Sequence, residues 1–208
     1  MKPKPSEVLY WGLATLPIAA FVLLYNRIPD TVYSTPRLNI LIGLQIPGLL
    51  AITIVNILPR YDIKYMTFSE SRSFRLLSWL IQITFILCQF IVMLSVTKGV
   101  VVMPNAIFSV IGLLIVITGS QLPKIKQNDT IGFKSTWTLK DERVWQKTHE
   151  LAGVTWIVGG LLLITMMFAS NIVIFLGLMS ISISFIVVIP FVYSYSYYKK
   201  LRRYTINN

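Results

Sequence analysis

Long uncharged, apolar runs alternate with short charged segments along most of the chain. The first four runs hold 19, 22, 22 and 25 residues and lie at 8–26, 38–59, 76–97 and 99–123. Each is close to the ~20 residues that a helix needs to cross a hydrocarbon core of ~30 Å. A fifth run at 151–198 holds 48 residues, so we expect it to cross the membrane twice.

This pattern predicts an all-α, polytopic integral membrane protein with six transmembrane helices. We place a turn at Ala169-Ser170-Asn171, the most polar point of the long fifth run. The first helix is interpreted as a retained span, because its apolar stretch exceeds a signal-peptide core of ~7–15 residues and no Ala-x-Ala-like site precedes Arg27. The six predicted spans are 8–25, 39–58, 76–96, 101–120, 151–168 and 172–192.

The basic residues are distributed unevenly between alternate loops. If both termini are cytoplasmic, the inner segments hold 16 Lys and Arg residues and the outer loops hold 3. Because cytoplasmic loops are enriched in Lys and Arg, this asymmetry predicts an even number of spans with both termini inside the cell.

The composition agrees with a membrane protein and excludes other classes. Hydrophobic residues make up 55% of the chain and charged residues 13%, against about 25% charged residues in a typical soluble domain. A net charge of +11 can indicate nucleic acid binding, but these charges occupy the gaps between apolar runs, so no direct contact with nucleic acid is predicted. One cysteine and one histidine cannot supply a zinc site, and no cofactor is expected.

The predicted spans contain no Asp, Glu, Lys, Arg or His, which argues against an ion-coupled transporter or a pump. Gln82 and Gln89 lie seven residues apart on one helix face. They could line a pathway, but hydrogen bonding between helices is the favoured interpretation. Cys88 is expected to be a small buried apolar residue. Five glycines indicate close helix packing, namely Gly112, Gly119, Gly153, Gly159 and Gly160.

The segment 121–150 is the longest predicted loop, and its apolar side chains argue against disorder. Thr138 is predicted to be an N-cap, with Asp141 three residues later in a near match to a capping box. The helix from Leu139 has an apolar face and a charged face. It is therefore expected to lie along the inner membrane interface and then turn into the fifth span. The apolar face holds Val144, Trp145, Thr148, Leu151 and Ala152, and the charged face holds Arg143, Gln146, Lys147 and Glu150.

The same loop resembles the signature of the SdpI family, bacterial membrane proteins named for immunity to the sporulation-delaying peptide toxin. The resemblance rests on Leu122-Pro123-Lys124-Ile125-Lys126-Gln127-Asn128, then Gly132, Trp137-Thr138-Leu139, Val144-Trp145, Thr148-His149 and Gly153. The family's Ile-Arg-Thr-Pro is Phe133-Lys134-Ser135-Thr136 here, which exchanges a planar guanidinium for a point charge. The expected functional residues are Pro123, Lys124, Lys126, Asn128, Gly132, Lys134, Trp137, Thr138, Trp145, Thr148, His149 and Gly153.

The resemblance implies a non-enzymatic immunity and signalling protein in a bacterial plasma membrane, in contact with lipid. Its implied partners are a secreted, bacteriocin-like peptide toxin and a cytoplasmic transcriptional repressor held by the inner loop. Arg27-Ile28-Pro29 and Leu58-Pro59-Arg60-Tyr61-Asp62 faintly resemble the domain that often precedes this signature. The chain is therefore divided into a three-span half at 1–98 and an SdpI-like three-span half at 99–208.

A second hypothesis makes the protein a membrane-embedded enzyme or lipid-handling protein that uses His149 with Asp141 or Glu142 at the inner interface. The favoured alternative is a structural His149, stacked on Trp145 one helical turn away and hydrogen-bonded either to a loop carbonyl or to a group near Trp145. The three loop lysines Lys124, Lys126 and Lys134 could bind a repressor or anionic lipid, and each could equally be a positive-inside anchor.

Overall fold

The protein is described from a computed structural model, which covers residues 5–32, 35–39, 42–43, 46, 50, 53, 72–98, 104–129 and 132–206. The α-helices described are α1 (Pro5–Ala14), α2 (Leu16–Leu24), α3 (Arg72–Thr97), α4 (Pro104–Gln121), α5 (Glu142–Thr165), α6 (Ile172–Ile183) and α7 (Ile189–Ile206). Short 3-10 turns follow α2, α4 and α5 at Tyr25–Arg27, Leu122–Lys124 and Met166–Phe168. A two-residue antiparallel ladder joins β1 (Thr31–Val32) to β2 (Thr35–Pro36).

Four helical stretches in the described part of the chain are long and apolar enough to cross a membrane. They are Ser78–Thr97, Asn105–Lys124, Glu142–Phe168 and Ile172–Arg203. They overlap the third to sixth predicted spans, although the fifth begins nine residues earlier and the sixth ends eleven residues later than predicted. The predicted turn at 169–171 separates the last two, with Asn171 as the N-cap of α6. The chain is therefore a helical membrane protein, while the count of six spans and the positions of the termini stay predictions.

The first predicted span differs from expectation, because 8–25 forms two helices that meet at Thr15 rather than one. Pro17 lies at the start of α2, and proline has no N–H to continue the hydrogen bonding of a preceding helix. The Thr15 hydroxyl instead donates to the Gly12 carbonyl at 2.8 Å. Most of the second predicted span, 39–58, lies outside the described residues.

Helices α4 and α5 pack with their backbones in contact, as the glycine pattern predicts. A Cβ placed on Gly112 would lie 2.6 Å from the Gly160 carbonyl oxygen, and one on Gly119 would lie 3.0 Å from that of Gly153. The glycines are seven residues apart on each helix and pair in opposite order, so the two helices run antiparallel along one glycine-lined face. Any larger side chain at these positions would separate the helices.

A π-helical turn at Ser184–Val188 joins α6 to α7 within one long helix. Its cause lies in Pro190, which has no N–H to donate to the Ile186 carbonyl one turn earlier. The Trp156 side chain of α5 supplies the missing donor, since its Nε1 lies 2.8 Å from the Ile186 oxygen. In a membrane an unpaired carbonyl is costly, so this tryptophan stabilises the irregular turn.

Two smaller predictions on α3 have different outcomes. Gln82 and Gln89 are buried, which agrees better with a role in helix contacts than with an open pathway. Cys88 is half-buried rather than fully buried, so the expectation of a core cysteine was wrong in degree. The face of α3 that carries Cys88 is partly exposed, and many apolar residues of the other spans are exposed as well.

Candidate functional site

The start of α5 is not where the sequence pattern placed it. The helix begins at Glu142, and its N-cap is Asp141, whose Oδ1 accepts from the Arg143 N–H at 2.9 Å. The prediction that Thr138 caps this helix was therefore wrong. The Arg143 side chain also hydrogen-bonds the Asp141 carboxylate and lowers the pKa of that group.

Helix α5 also continues without a break to Thr165, so the predicted turn from the interface into the fifth span was wrong. The reason is that one face of α5 packs against two different neighbours, first the preceding loop and then α4. Trp145 and Ala152 pack with the preceding loop, and Gly153 and Gly160 contact α4 two to four turns later. A bend would separate these two contacts.

Thr138 instead closes the turn that precedes the helix. Its hydroxyl oxygen accepts from the Ser135 N–H at 2.7 Å, and its own N–H donates to the Ser135 hydroxyl oxygen at 3.2 Å. Gln127 then connects this turn to the first part of the loop, because its amide nitrogen donates to the carbonyls of Thr138 and Leu139 at 2.8 and 2.9 Å. Thr138 is fully buried.

Trp145 and His149 form a stacked pair, as the sequence predicts. Their ring centroids lie 4.1 Å apart with an interplanar angle of 19°. The His149 Nδ1 lies 2.8 Å from the Trp145 carbonyl, and its Nε2 accepts from the Phe133 N–H at 3.0 Å. These two contacts require a neutral imidazole with its proton on Nδ1, because a protonated Nε2 could not accept from Phe133.

The loop closes over this pair at Gly132. Its φ of +132° lies in a region that L side chains rarely adopt. A Cβ there would lie 2.5 Å from the His149 Nε2 and 2.8 Å from the Trp145 ring. On the indole side, the Trp145 Nε1 donates to the Ile125 carbonyl at 2.8 Å. We call Ile125, Gly132, Phe133, Trp145 and His149 the Trp–His cluster.

Trp137 contacts α7, unlike Trp145 and His149, which belong to α5. Its indole N–H donates to the Ser194 hydroxyl, and its ring packs against Phe191 and Tyr195 at centroid distances of 5.3 and 5.2 Å. The sequence pattern indicated no partner for Trp137. Ser194 was missed, because a serine in an apolar run has no distinguishing signal.

The remaining predicted site residues divide between the interior and the surface. Pro123 packs on Gly153, where an added Cβ would lie 2.9 Å from the proline ring. Asn128 is buried and its Nδ2 donates to the Lys126 carbonyl at 2.8 Å. Thr148 is buried too, and its hydroxyl oxygen has no partner within the described residues.

The three loop lysines are exposed. Lys134 reaches the Asp129 carbonyl at 3.2 Å, and Lys124 and Lys126 line a cavity of about 280 Å³ beside Glu142. The site is thus a buried framework of Trp, His, Thr, Asn and Gly residues that holds three lysines at its surface. Across the described ranges, no three His, Cys, Asp or Glu residues are grouped as they would be to hold a metal ion.

The region that contains this framework is similar to known proteins. Residues 124–194 match the SdpI/YfhL protein family. The immunity protein SdpI of Bacillus subtilis (strain 168) is 34% identical over 91 residues, which are 44% of this chain and 44% of that protein. No solved structure matches the chain. The resemblance to the SdpI family is confirmed over residues 124–194, and the matched region ends at Ser194, the partner of Trp137.

Proposed function

We propose that this chain is a membrane immunity protein that protects the cell producing it from a secreted peptide toxin. The observation that carries the proposal is that Gly132, Trp145 and His149 of the family signature build the buried Trp–His cluster, while Trp137 of the same signature contacts α7. The relative that shares this region is itself an immunity protein. Because the two chains match over less than half of their lengths, the activity of the whole relative is transferred here only as a proposal.

In this proposal the loop reports the state of the membrane helices. It contacts α5 through the Trp–His cluster and α7 through Trp137 and Ser194. A toxin that binds among the spans and displaces α7 relative to α5 would change the distance between these two attachments. The loop would then present Lys124 and Lys126 differently to a cytoplasmic repressor.

The proposal uses the predicted topology of six spans, with halves at 1–98 and 99–208 and both termini in the cytosol. Its support is the strong excess of Lys and Arg on one side. A cysteine at exposed Lys140 should react with an impermeant maleimide only in inside-out vesicles, whereas one at exposed Phe168 should react in intact cells. The reverse pattern would place the loop outside the cell, where it could not contact a cytoplasmic repressor.

The alternative in which His149 acts as an acid or base has little geometric support. The ring is fully buried, and both of its nitrogens contact backbone groups, which leaves none for a substrate. Asp141 is occupied as the helix cap and by Arg143. The arrangement fits a structural histidine.

The deciding experiment is expression in a toxin-sensitive bacterium challenged with a panel of secreted peptide toxins. Protection against at least one toxin is expected, and unchanged killing across the panel contradicts the proposal. A variant with Lys124→Gln and Lys126→Gln separates the two parts of the proposal, since both side chains are exposed and the framework does not use them. It should keep protection and lose capture of the repressor.

A further inference from the structure

The last helix ends in a basic and aromatic segment whose cations none of the functions above uses. A cavity of about 470 Å³ lies along one face of α7. In the described part of the chain it is lined by Tyr195, Tyr198, Lys199, Arg202 and Arg203. These positions follow the spacing i, i+3, i+4, i+7 and i+8, so the two rings and the three cations lie on the same side of the helix.

The charge of this cavity is uncompensated by the described residues. Asp141, Glu150 and Asp30 pair with cations elsewhere, and no carboxylate of the described ranges forms an ion pair with Lys199, Arg202 or Arg203. The Arg202 guanidinium lies 5.7 Å from the centre of the Tyr198 ring. A cation over a ring face is attracted by it, so Tyr198 orients this guanidinium along the lining of the cavity.

The depth of the cavity identifies the ligand chemistry. The apolar stretch that begins at Ile172 ends at Val192, and 21 residues at ~1.5 Å each span about the ~30 Å of a hydrocarbon core. Tyr195 then lies about 5 Å and Lys199 about 10 Å beyond that core. The polar layer of each leaflet is ~5–8 Å thick, so Tyr195 lies beside lipid headgroups. Tyr198 and Lys199 lie just beyond this layer, and their long side chains can extend back to it. The two arginines, about one turn further, can extend back towards the same layer.

We propose that this cavity binds the phosphate of an anionic lipid headgroup. The guanidinium groups of Arg202 and Arg203 contact the phosphate oxygens, a geometry to which their paired N–H groups are suited. Lys199 adds a point charge, and the rings of Tyr195 and Tyr198 cover the glycerol and upper acyl carbons. This site does not depend on the proposed immunity function. It has a structural link to the loop, however, because Tyr195 also packs against Trp137.

The test measures lipid bound to the purified full chain by native mass spectrometry, with phosphatidylglycerol and phosphatidylcholine as probes. Phosphatidylglycerol should bind at least tenfold more tightly. Arg202→Gln should reduce its binding strongly. The matched control is Lys200→Gln, which removes the same charge from the same helix but lies outside the cavity lining. A general surface attraction amounts to roughly a fivefold change per cation, and Arg202→Gln should exceed the control by several-fold.

Tyr198→Leu gives an independent criterion, because it leaves the net charge unchanged but removes the ring beneath Arg202. If the cavity holds the headgroup, this variant should bind phosphatidylglycerol more weakly, whereas unaltered binding overturns the proposal. Equal losses in Arg202→Gln and Lys200→Gln overturn it as well, since only surface charge would then matter. Glycerol 3-phosphate in detergent distinguishes the source of the phosphate. Binding as tight as that of the lipid would assign the cavity to a soluble phosphate and overturn the lipid assignment.

Discussion

The loop region that carries the family signature and helix α6 differ in how deeply their side chains are buried. In the loop region Trp145, His149 and Thr138 are at most 1% exposed, and hydrogen bonds fix their positions. In α6 the side chain of Val173 is 75% exposed and an added methyl group at Gly177 would meet nothing within 4 Å. At such outward-facing positions of α6 lipid accepts any apolar side chain, whereas we expect the buried positions of the loop to accept few substitutions. The difference teaches that packing constrains the buried polar framework far more than the outward-facing positions of α6.

The largest difference in stability between the two regions is expected when the variant Gly132→Ala is compared with Gly177→Ala. The first change puts a side chain at a φ of +132° and 2.5 Å from the His149 Nε2. Strain of this kind costs about 1–3 kcal/mol before any clash is counted. The second adds a methyl group to an open helix position, where alanine is favoured over glycine by about 0.5–1 kcal/mol. Thermal unfolding in detergent micelles should show a large loss for the first and none for the second. Equal melting temperatures would show that the loop tolerates substitution as α6 does.

The next largest effect concerns the hydrogen bonds of the Trp–His cluster. His149→Phe keeps a ring stacked on Trp145 but leaves the Phe133 N–H without its acceptor, at a cost of about 1–3 kcal/mol. The matched control is Lys147→Gln on the exposed side of the same helix, which should stay within about 0.5 kcal/mol of the parent. Chemical denaturation of both variants provides the measurement. A His149→Phe variant as stable as the control would mean that stacking alone holds the loop.

A smaller effect is expected where α5 supports the π turn between α6 and α7. Trp156→Phe removes the donor to the Ile186 carbonyl, and such interhelical bonds contribute about 0.6–1.7 kcal/mol in membranes. Pro190→Ala restores a backbone N–H that can pair with the same carbonyl. The loss from Trp156→Phe should therefore shrink in a Pro190→Ala background. A double-mutant cycle measures this coupling, and strictly additive losses would show that Pro190 is not the origin of the free carbonyl.

The division between loop and spans also explains what could be predicted from the sequence. The third to sixth spans and the close helix packing at the glycines follow from run length and residue size, which are local properties, whereas the pairing of α4 with α5 does not. The Trp145–His149 stack follows from i,i+4 spacing. The cap at Asp141 was missed because Thr138 offered the same local pattern, and only the buried turn with Ser135 distinguishes them. The Trp137–Ser194 contact was out of reach, since it joins residues 57 positions apart.

The smallest expected effect on stability, and the most informative for function, comes from the Trp137–Ser194 bond. Trp137→Phe keeps an aromatic ring against Phe191 and Tyr195 and removes only the donor, at about 0.5–1.5 kcal/mol. Ser194→Ala removes the acceptor and also the hydroxyl that donates to the Phe191 carbonyl at 2.8 Å. Because both changes break the same indole hydrogen bond, the double variant should be no less stable than the less stable of the two single variants.

If the loop responds to movement of α7, either variant should weaken the toxin-dependent capture of a repressor while protection and protein level stay close to those of the parent. Phe191→Leu is the matched control, since it disturbs the same contact without breaking the bond. Loss of protection in all three variants would instead make this contact part of toxin binding, because a bond used only for reporting cannot affect survival of the cell.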